Sequence, residues 1–198
     1  MIDVSKIRLL DVVSAAEEFL QKYHPSLNLP IPIEDIVELK IGVGLNVVSG
    51  IKQLLDIDAF INRGLTEIVI DSFSFEKYVP RTRFSVAHEI GHSILHREWY
   101  KKNGPVDAEE YLDFLDRVDE ETYKKIERQA NTFAGLVLVP TKQLTKLFIK
   151  RLGKLPKEEE PELLGSIIQD LPGIFNVSEI PLLWRLQDEK IIKRIPFY

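Results

Sequence analysis

His88-Glu89-Ile90-Gly91-His92 sets two imidazoles four positions apart, with a carboxylate between them, in a stretch whose apolar residues recur at helical spacing. On an α-helix, side chains at i and i+4 share a face and lie roughly one turn apart. Two ring nitrogens can therefore point at one metal ion. Glu89 falls about 100° round the helix, beside such an ion and not on it. That placement suits a carboxylate that takes a proton from water activated by a metal. Three of the four histidines (His88, His92 and His96) fall within nine residues, which marks this segment out.

A catalytic zinc usually has three protein ligands and one open position, so a third donor is needed. His96 is the local rival, but on a straight helix its Cα lies roughly 12 Å from that of His88 and about 80° round the axis. One ion could not readily satisfy all three rings, and His96 reads as a polar residue at the helix end, favoured by the dipole there. The spacing also fails the longer three-histidine metzincin pattern. A glutamate on the following helix is the better candidate. Glu127 sits at the edge of that helix's apolar stripe beside Ala130 and Ala134. Glu120 occupies a similar angle two turns earlier, and helical phase alone does not choose between them.

The elements that position these residues follow from periodicity. Residues 5–22 read as a helix, ended by Tyr23-His24-Pro25, and a Pro-rich connector leads into a short helix from Ile33 that Gly42 closes. Leu45–Val48, Asp58–Asn62 and Thr66–Asp71 read as short strands, with Asn62-Arg63-Gly64 turning between the last two. After Pro80 the period becomes 3.6, and Phe84, Ala87, Ile90, Gly91, Ile94 and Leu95 form the stripe of the histidine-bearing helix. Residues 107–121 hold eight acidic residues against one basic, with Tyr111, Leu112, Leu115 and Val118 at helical spacing. This reads as an amphipathic helix with a solvated acidic face; attraction of a basic protein substrate is the sharper alternative. Helices are expected over Glu120–Leu138 and 141–152, then a charged linker, Lys154–Glu162. Two short helices divided by Pro172-Gly173 complete the chain, the second capped by Ser178.

Arg81-Thr82-Arg83-Phe84-Ser85-Val86-Ala87-His88-Glu89-Ile90-Gly91-His92, followed by Leu95-His96, resembles the core of the ImmA/IrrE metallopeptidase family. A second block, Glu127-Arg128-Gln129-Ala130-Asn131-Thr132-Phe133-Ala134 ending in Leu138-Val139-Pro140, is similar to that family's E-x-x-A-N-x-F-A segment. Fainter likeness covers the Pro32–Ile36 helix, Ile68–Asp71 as an edge strand, and Phe175–Ser178 with Arg185-Leu186. The resemblance implies that Glu127 is the third ligand of a zinc held with His88 and His92, a gluzincin-like set, with Glu89 as general base. It implies a protein substrate, typically a helix-turn-helix repressor of a mobile element, phage or stress regulon. Asn131, four residues after Glu127 on one face, is a candidate for orienting a ligand; a plain helix-surface contact is the alternative. Manganese or another divalent ion would suit the same donors. Relative to fuller family members, an N-terminal helix-turn-helix and a large C-terminal sensor domain are expected to be lacking.

The expected fold is α+β: a zincin-like metalloprotease domain with a small mixed β-sheet packed on the HExxH helix and additional C-terminal helices. Residues 1–152 would form the metallopeptidase domain and 153–198 a C-terminal helical extension packed on it. A substrate peptide is expected to add to the strand Ile68–Asp71 edge to edge.

Composition narrows the alternatives. With 44% hydrophobic and 29% charged residues the chain is an ordinary globular sequence. Cysteine is absent, which excludes disulfides, thiolate metal sites and a cysteine nucleophile. Asp3, Lys6 and Arg8 interrupt the N-terminus, no apolar run is long enough to span a membrane, and a cytoplasmic protein is expected. The net charge of -5 argues against a general nucleic-acid binder. The competing hypothesis is a non-catalytic DNA- or protein-binding regulator that retains the fold, with the last two helices reading DNA. From Lys142 to Tyr198, however, ten basic residues face eight acidic ones, which is thin for phosphate contacts.

Overall fold

The computed structural model describes residues 4–159 and 164–195. A 3₁₀ turn (Val4–Lys6) precedes α1 (Leu9–Tyr23), which starts later than periodicity suggests because Asp11 Oδ2 accepts the Arg8 backbone N–H at 2.8 Å and fixes the first turn there. Helix α2 (Ile33–Asp35) runs on as a π-helical stretch (Ile36–Ile41) closed by Gly42 at φ 81°. There follow β1 (Gly44–Val48), α3 (Ile51–Leu55), β2 (Ala59–Ile61), β3 (Glu67–Asp71), α4 (Ser72–Lys77) and α5 (Val79–Leu95). The remaining helices are α6 (Arg97–Asn103), α7 (Tyr111–Arg117), α8 (Glu120–Leu138), α9 (Thr141–Leu152), α10 (Gly165–Phe175) and α11 (Glu179–Asp188). Residues 160–162 of the expected charged linker lie outside the described residues.

The sheet order is β1-β3-β2, with β1 parallel and β2 antiparallel to β3, so the sheet is small and mixed. Alternation splits the faces of its strands. Ile61, Ile68 and Ile70 enter the main core with Ile90 of α5, whereas Phe60 and Val69 join Ile51, Tyr111 and Phe114 in a second cluster beneath α3 and α7. β3 is therefore the central strand, paired on both sides, and the expectation that Ile68–Asp71 forms an edge open to a peptide is wrong. Its burial on both faces explains the near-continuous apolar run that the sequence shows there. The strand beside the histidine-bearing helix is β2.

Helices α5 and α8 make the principal helix pair. A Cβ added at Gly91 would stand 3.2 Å from both Ala130 Cα and Phe133 Cδ1, so glycine on one helix and alanine on the other let the two backbones approach closely. The N-terminal half of α5 is anchored by Arg83, which is buried, pairs with Glu34 at 2.7 Å and donates to the carbonyls of Ile31 and Asn176. Asp71 caps α4 by accepting from Ser74 N at 3.0 Å, and Asp119 caps α8 by accepting from Thr122 N at 2.9 Å.

The C-terminal helices divide elsewhere than expected. α10 passes through Pro172 and ends at Asn176, whose left-handed φ of 52° makes the break. Ser178 stands at the N-cap of α11, but its side chain makes no capping hydrogen bond. α11 lies against α8, where Arg185 Cδ would be 2.8 Å from a Cβ at Gly135. No helix among the described residues is long and apolar enough to cross a membrane.

Candidate metal centre

α5 carries His88, Glu89 and His92 across the face where it meets β2 and α8. The Nε2 atoms of His88 and His92 lie 2.9 Å apart. From α8, Glu127 brings Oε2 to 3.3 Å from His88 Nε2 and Oε1 to 3.1 Å from His92 Nε2. One ligand atom from each of the three residues lies within 4.8 Å of the others. The close approach at Gly91 is what brings Glu127 across to the two rings. Glu120, its rival by helical phase, is 80% exposed at its side chain and pairs with Lys124. It stands apart from the histidines.

Hydrogen bonding behind the rings decides which nitrogens are free. The Gln129 amide nitrogen donates to the carbonyl of Ile7 at 2.9 Å and of Val4 at 3.4 Å. Its Oε1 therefore accepts, and the partner at 2.8 Å is His96 Nε2, which must carry a proton. Burial, with His92 close by, holds the His96 pKa down to about 3, so that ring is neutral and its Nδ1 is a lone pair. His92 Nδ1, 3.1 Å away, supplies the hydrogen to it. His92 Nε2 is then left bare. On the other ring, His88 Nδ1 donates to Asn131 Oδ1 at 2.9 Å, which leaves His88 Nε2 facing the same point.

With both rings neutral, two imidazole lone pairs and a carboxylate converge on one point, and such a set suits a positive charge, either a metal ion or a proton. The spacings of 2.9, 3.1 and 3.3 Å are near the ~3.3 Å edge of a tetrahedron built on ~2 Å bonds. The donors fit a divalent ion of the zinc type. Burial opposes a charge on His88, yet the hydrogen bond and charge of Glu127, the charge of Glu89 and the Asn131 hydrogen bond together outweigh it and hold the ring pKa up to about 9. A proton there takes the place of a positive ion. Burial likewise opposes ionisation of Glu127, and the two histidines overcome it and hold the carboxyl far below its ordinary range.

Glu89 stands differently. One oxygen accepts the Ile61 N–H of β2 at 2.8 Å, and the other lies 4.0 Å from His88 Nε2. Burial pushes its pKa up, which favours proton uptake by this carboxylate. The pocket that holds these groups has a volume of about 230 Å³, with Phe60, Tyr100, Tyr111 and Tyr123 among its walls. The Tyr100 ring lies 4.9 Å from that of His92, and burial keeps its hydroxyl protonated.

The structure brings together every residue singled out in sequence for the centre: His88, Glu89, His92, Glu127 and Asn131. It adds Gln129, the Ile61 amide and a buried task for His96. His96 does close α5, as expected, but it also orients His92. The signal for that was present as a second i, i+4 histidine pair; its acceptor, on another helix, was not visible.

This α+β arrangement, a three-stranded mixed sheet on a helix that bears H-E-x-x-H with a glutamate crossing from the next long helix, defines a zincin-like domain. Residues 76–163 match the IrrE N-terminal-like domain of peptidase family M78. No curated protein sequence matches the chain. Among solved structures, a Mycobacterium tuberculosis transcriptional regulator is similar at a TM-score of 0.54 and 15% identity, over 95% of this chain and 48% of that one. The likeness is one of fold, and the chain spans about half the length of that protein.

Proposed function

We propose that the chain is a zinc-dependent metallopeptidase that hydrolyses a peptide bond of a protein substrate, with His88, His92 and Glu127 as metal ligands. The observation that carries this reading is the convergence of the His88 and His92 Nε2 atoms on the Glu127 carboxylate. A bound zinc, or manganese in its place, supplies Lewis acidity that polarises a carbonyl and makes water acidic near neutral pH. Glu89, the general base, accepts the proton of the attacking water and returns it to the leaving amine. The Ile61 amide holds one of its oxygens, so the other is aimed into the pocket. Asn131 fixes the tautomer and plane of His88, and the Gln129–His96 pair does the same for His92.

The main-chain groups of Ala59 point away from β3 by the register of the hairpin, because Asp58 and Asn62 make the flanking bonds to it. A substrate strand would pair there, along β2. The resemblance to the ImmA/IrrE family supports a helix-turn-helix repressor as substrate and a cytoplasmic setting, in keeping with the absence of cysteine. Residues 1–152 would form the peptidase domain and 153–198 a helical extension resting on it.

The test is incubation with the repressor encoded beside the gene, comparing wild type with Glu89→Gln by intact mass. A cut made by wild type alone is expected. A cut that survives in the variant, or a salt-dependent shift of duplex DNA without any proteolysis, would overturn the reading.

A further inference from the structure

The pocket around the metal-ligating group does not end at Glu127. It shares Phe84, Tyr123, Glu127 and Asn131 with a neighbouring groove of about 420 Å³, so the two form one cleft. The groove follows a single face of α8, where Tyr123, Glu127, Asn131 and Gly135 recur every fourth residue, a span of ~18 Å. Its far wall is α11. That wall is fixed in place by Arg185, which donates to Thr141 Oγ1 at 3.0 Å and Glu189 Oε1 at 2.6 Å and whose stem fits only because residue 135 has no Cβ.

The surfaces offered to a ligand are mainly apolar. Trp184 is left 46% exposed on α11, and Phe84 is half-buried where the groove opens toward His88. An indole this exposed beside a candidate catalytic pocket loses the hydrophobic gain of burial unless a partner covers it. Charges of both signs line it, exposed Lys124 and Arg128 on α8 against Asp188 on α11, so its apolar walls and not its charge select the occupant.

We propose that this groove binds a large apolar side chain, aromatic or branched, of the protein substrate, on one side of the bond to be cut. The inference rests on the peptidase reading, because it is continuity with Glu127 and Asn131 that makes the occupant a substrate residue. Trp184 and Phe84 then determine specificity, while the chemistry stays with α5.

Two measurements separate this proposal from the reading beneath it. Wild type, Trp184→Ala and Trp184→Phe, each loaded with zinc, digest a randomised library of blocked peptides, and the cut sites are read by mass spectrometry. Wild type is expected to select phenylalanine, tyrosine or leucine at one position flanking the cut. In Trp184→Ala the kcat/KM ratio of phenylalanine to glycine there should fall about tenfold, and Trp184→Phe should restore most of it. An unaltered ratio in Trp184→Ala, or selection of charged or small residues, overturns the proposal. Binding is followed apart from cleavage in Trp99→Phe/Glu89→Gln, where Trp184 is the sole indole reporter. N-acetyl-phenylalaninamide should change its emission at concentrations where N-acetyl-glycinamide does not. If the library stays uncut, the peptidase reading fails while an emission change still supports an apolar site; if emission answers to neither probe, the groove proposal fails even where peptides are cut.

Discussion

Replacing His96 with leucine tests whether the groups behind the candidate metal ligands set their chemistry. His96 is buried, 3.1 Å from His92 Nδ1 on one side and 2.8 Å from Gln129 Oε1 on the other. Leucine fills similar space but offers neither the acceptor that His92 needs nor the donor that Gln129 needs. Each unpaired buried group costs ~1–3 kcal/mol, offset in part by the apolar packing of leucine. The freed His92 ring can also take the other tautomer, in which Nε2 carries hydrogen and cannot ligate. Losing an outer hydrogen-bond partner of this kind weakens metal binding ~10–100-fold. Zinc affinity is read by competition with a chromophoric chelator, and stability of the metal-free protein by urea unfolding. His96→Gln, whose amide can accept from one neighbour and donate to the other, should recover most of both losses. A folded His96→Leu protein that binds zinc as tightly as wild type would refute the tautomer argument.

Other perturbations have equally definite outcomes. Glu89→Gln should keep one zinc by metal analysis while peptide cleavage falls ~10²–10⁴-fold; retained turnover would remove Glu89 from the base role. Gly91→Val should push α8 away from α5, because even a Cβ meets Ala130 at 3.2 Å, and zinc affinity should fall together with urea stability. Gly135→Ala should force Arg185 off α8 and cost ~1–3 kcal/mol in unfolding free energy, with zinc stoichiometry preserved. Because the folded His96 pKa, about 3, lies below the ~6.5 of an unfolded histidine, its contribution is complete above the unfolded value and is lost as pH falls. Taken as wild type minus His96→Gln, metal-free stability should therefore rise with pH from about 3 to ~6.5 by ~1.4 kcal/mol per unit. It should be level above that. A difference that is flat throughout would show that His96 is not held neutral.

Much of the centre was legible because helices repeat. The i, i+4 spacing of His88 and His92 fixes their common face wherever the helix lies, and the structure adds only the partner. Glu127 and Glu120 were indistinguishable by phase because the choice depends on where α8 crosses α5. That crossing is set by contact between Gly91 and Ala130, a relation between residues 39 positions apart. The Gln129–His96–His92 chain was hidden for the same reason, since it also depends on two carbonyls near the N-terminus. Strand positions were readable from short apolar runs, but strand order was not. β3 precedes the histidine-bearing helix in sequence, whereas β2 touches Glu89, because the antiparallel hairpin places β2 on the side facing α5. Pro172 was a misleading stop signal: α10 ends instead at Asn176, where the backbone turns left-handed and its amide bonds back to the Pro172 carbonyl. Around α7, Tyr111, Leu115 and Val118 pack on the second cluster as periodicity selected, but Phe114 is buried there and Leu112 is exposed.

The proposed chemistry depends most on a single ion at the junction of α5 and α8. X-ray absorption at the zinc edge on the stoichiometrically loaded protein, compared with Glu127→Gln and His92→Ala, examines that junction directly. One zinc per chain with two imidazole nitrogens and low-Z oxygen donors at about 2 Å is predicted, with the imidazole signal halved in His92→Ala and weaker occupancy in both variants. Failure to load zinc, or a coordination shell that neither substitution alters, would contradict it.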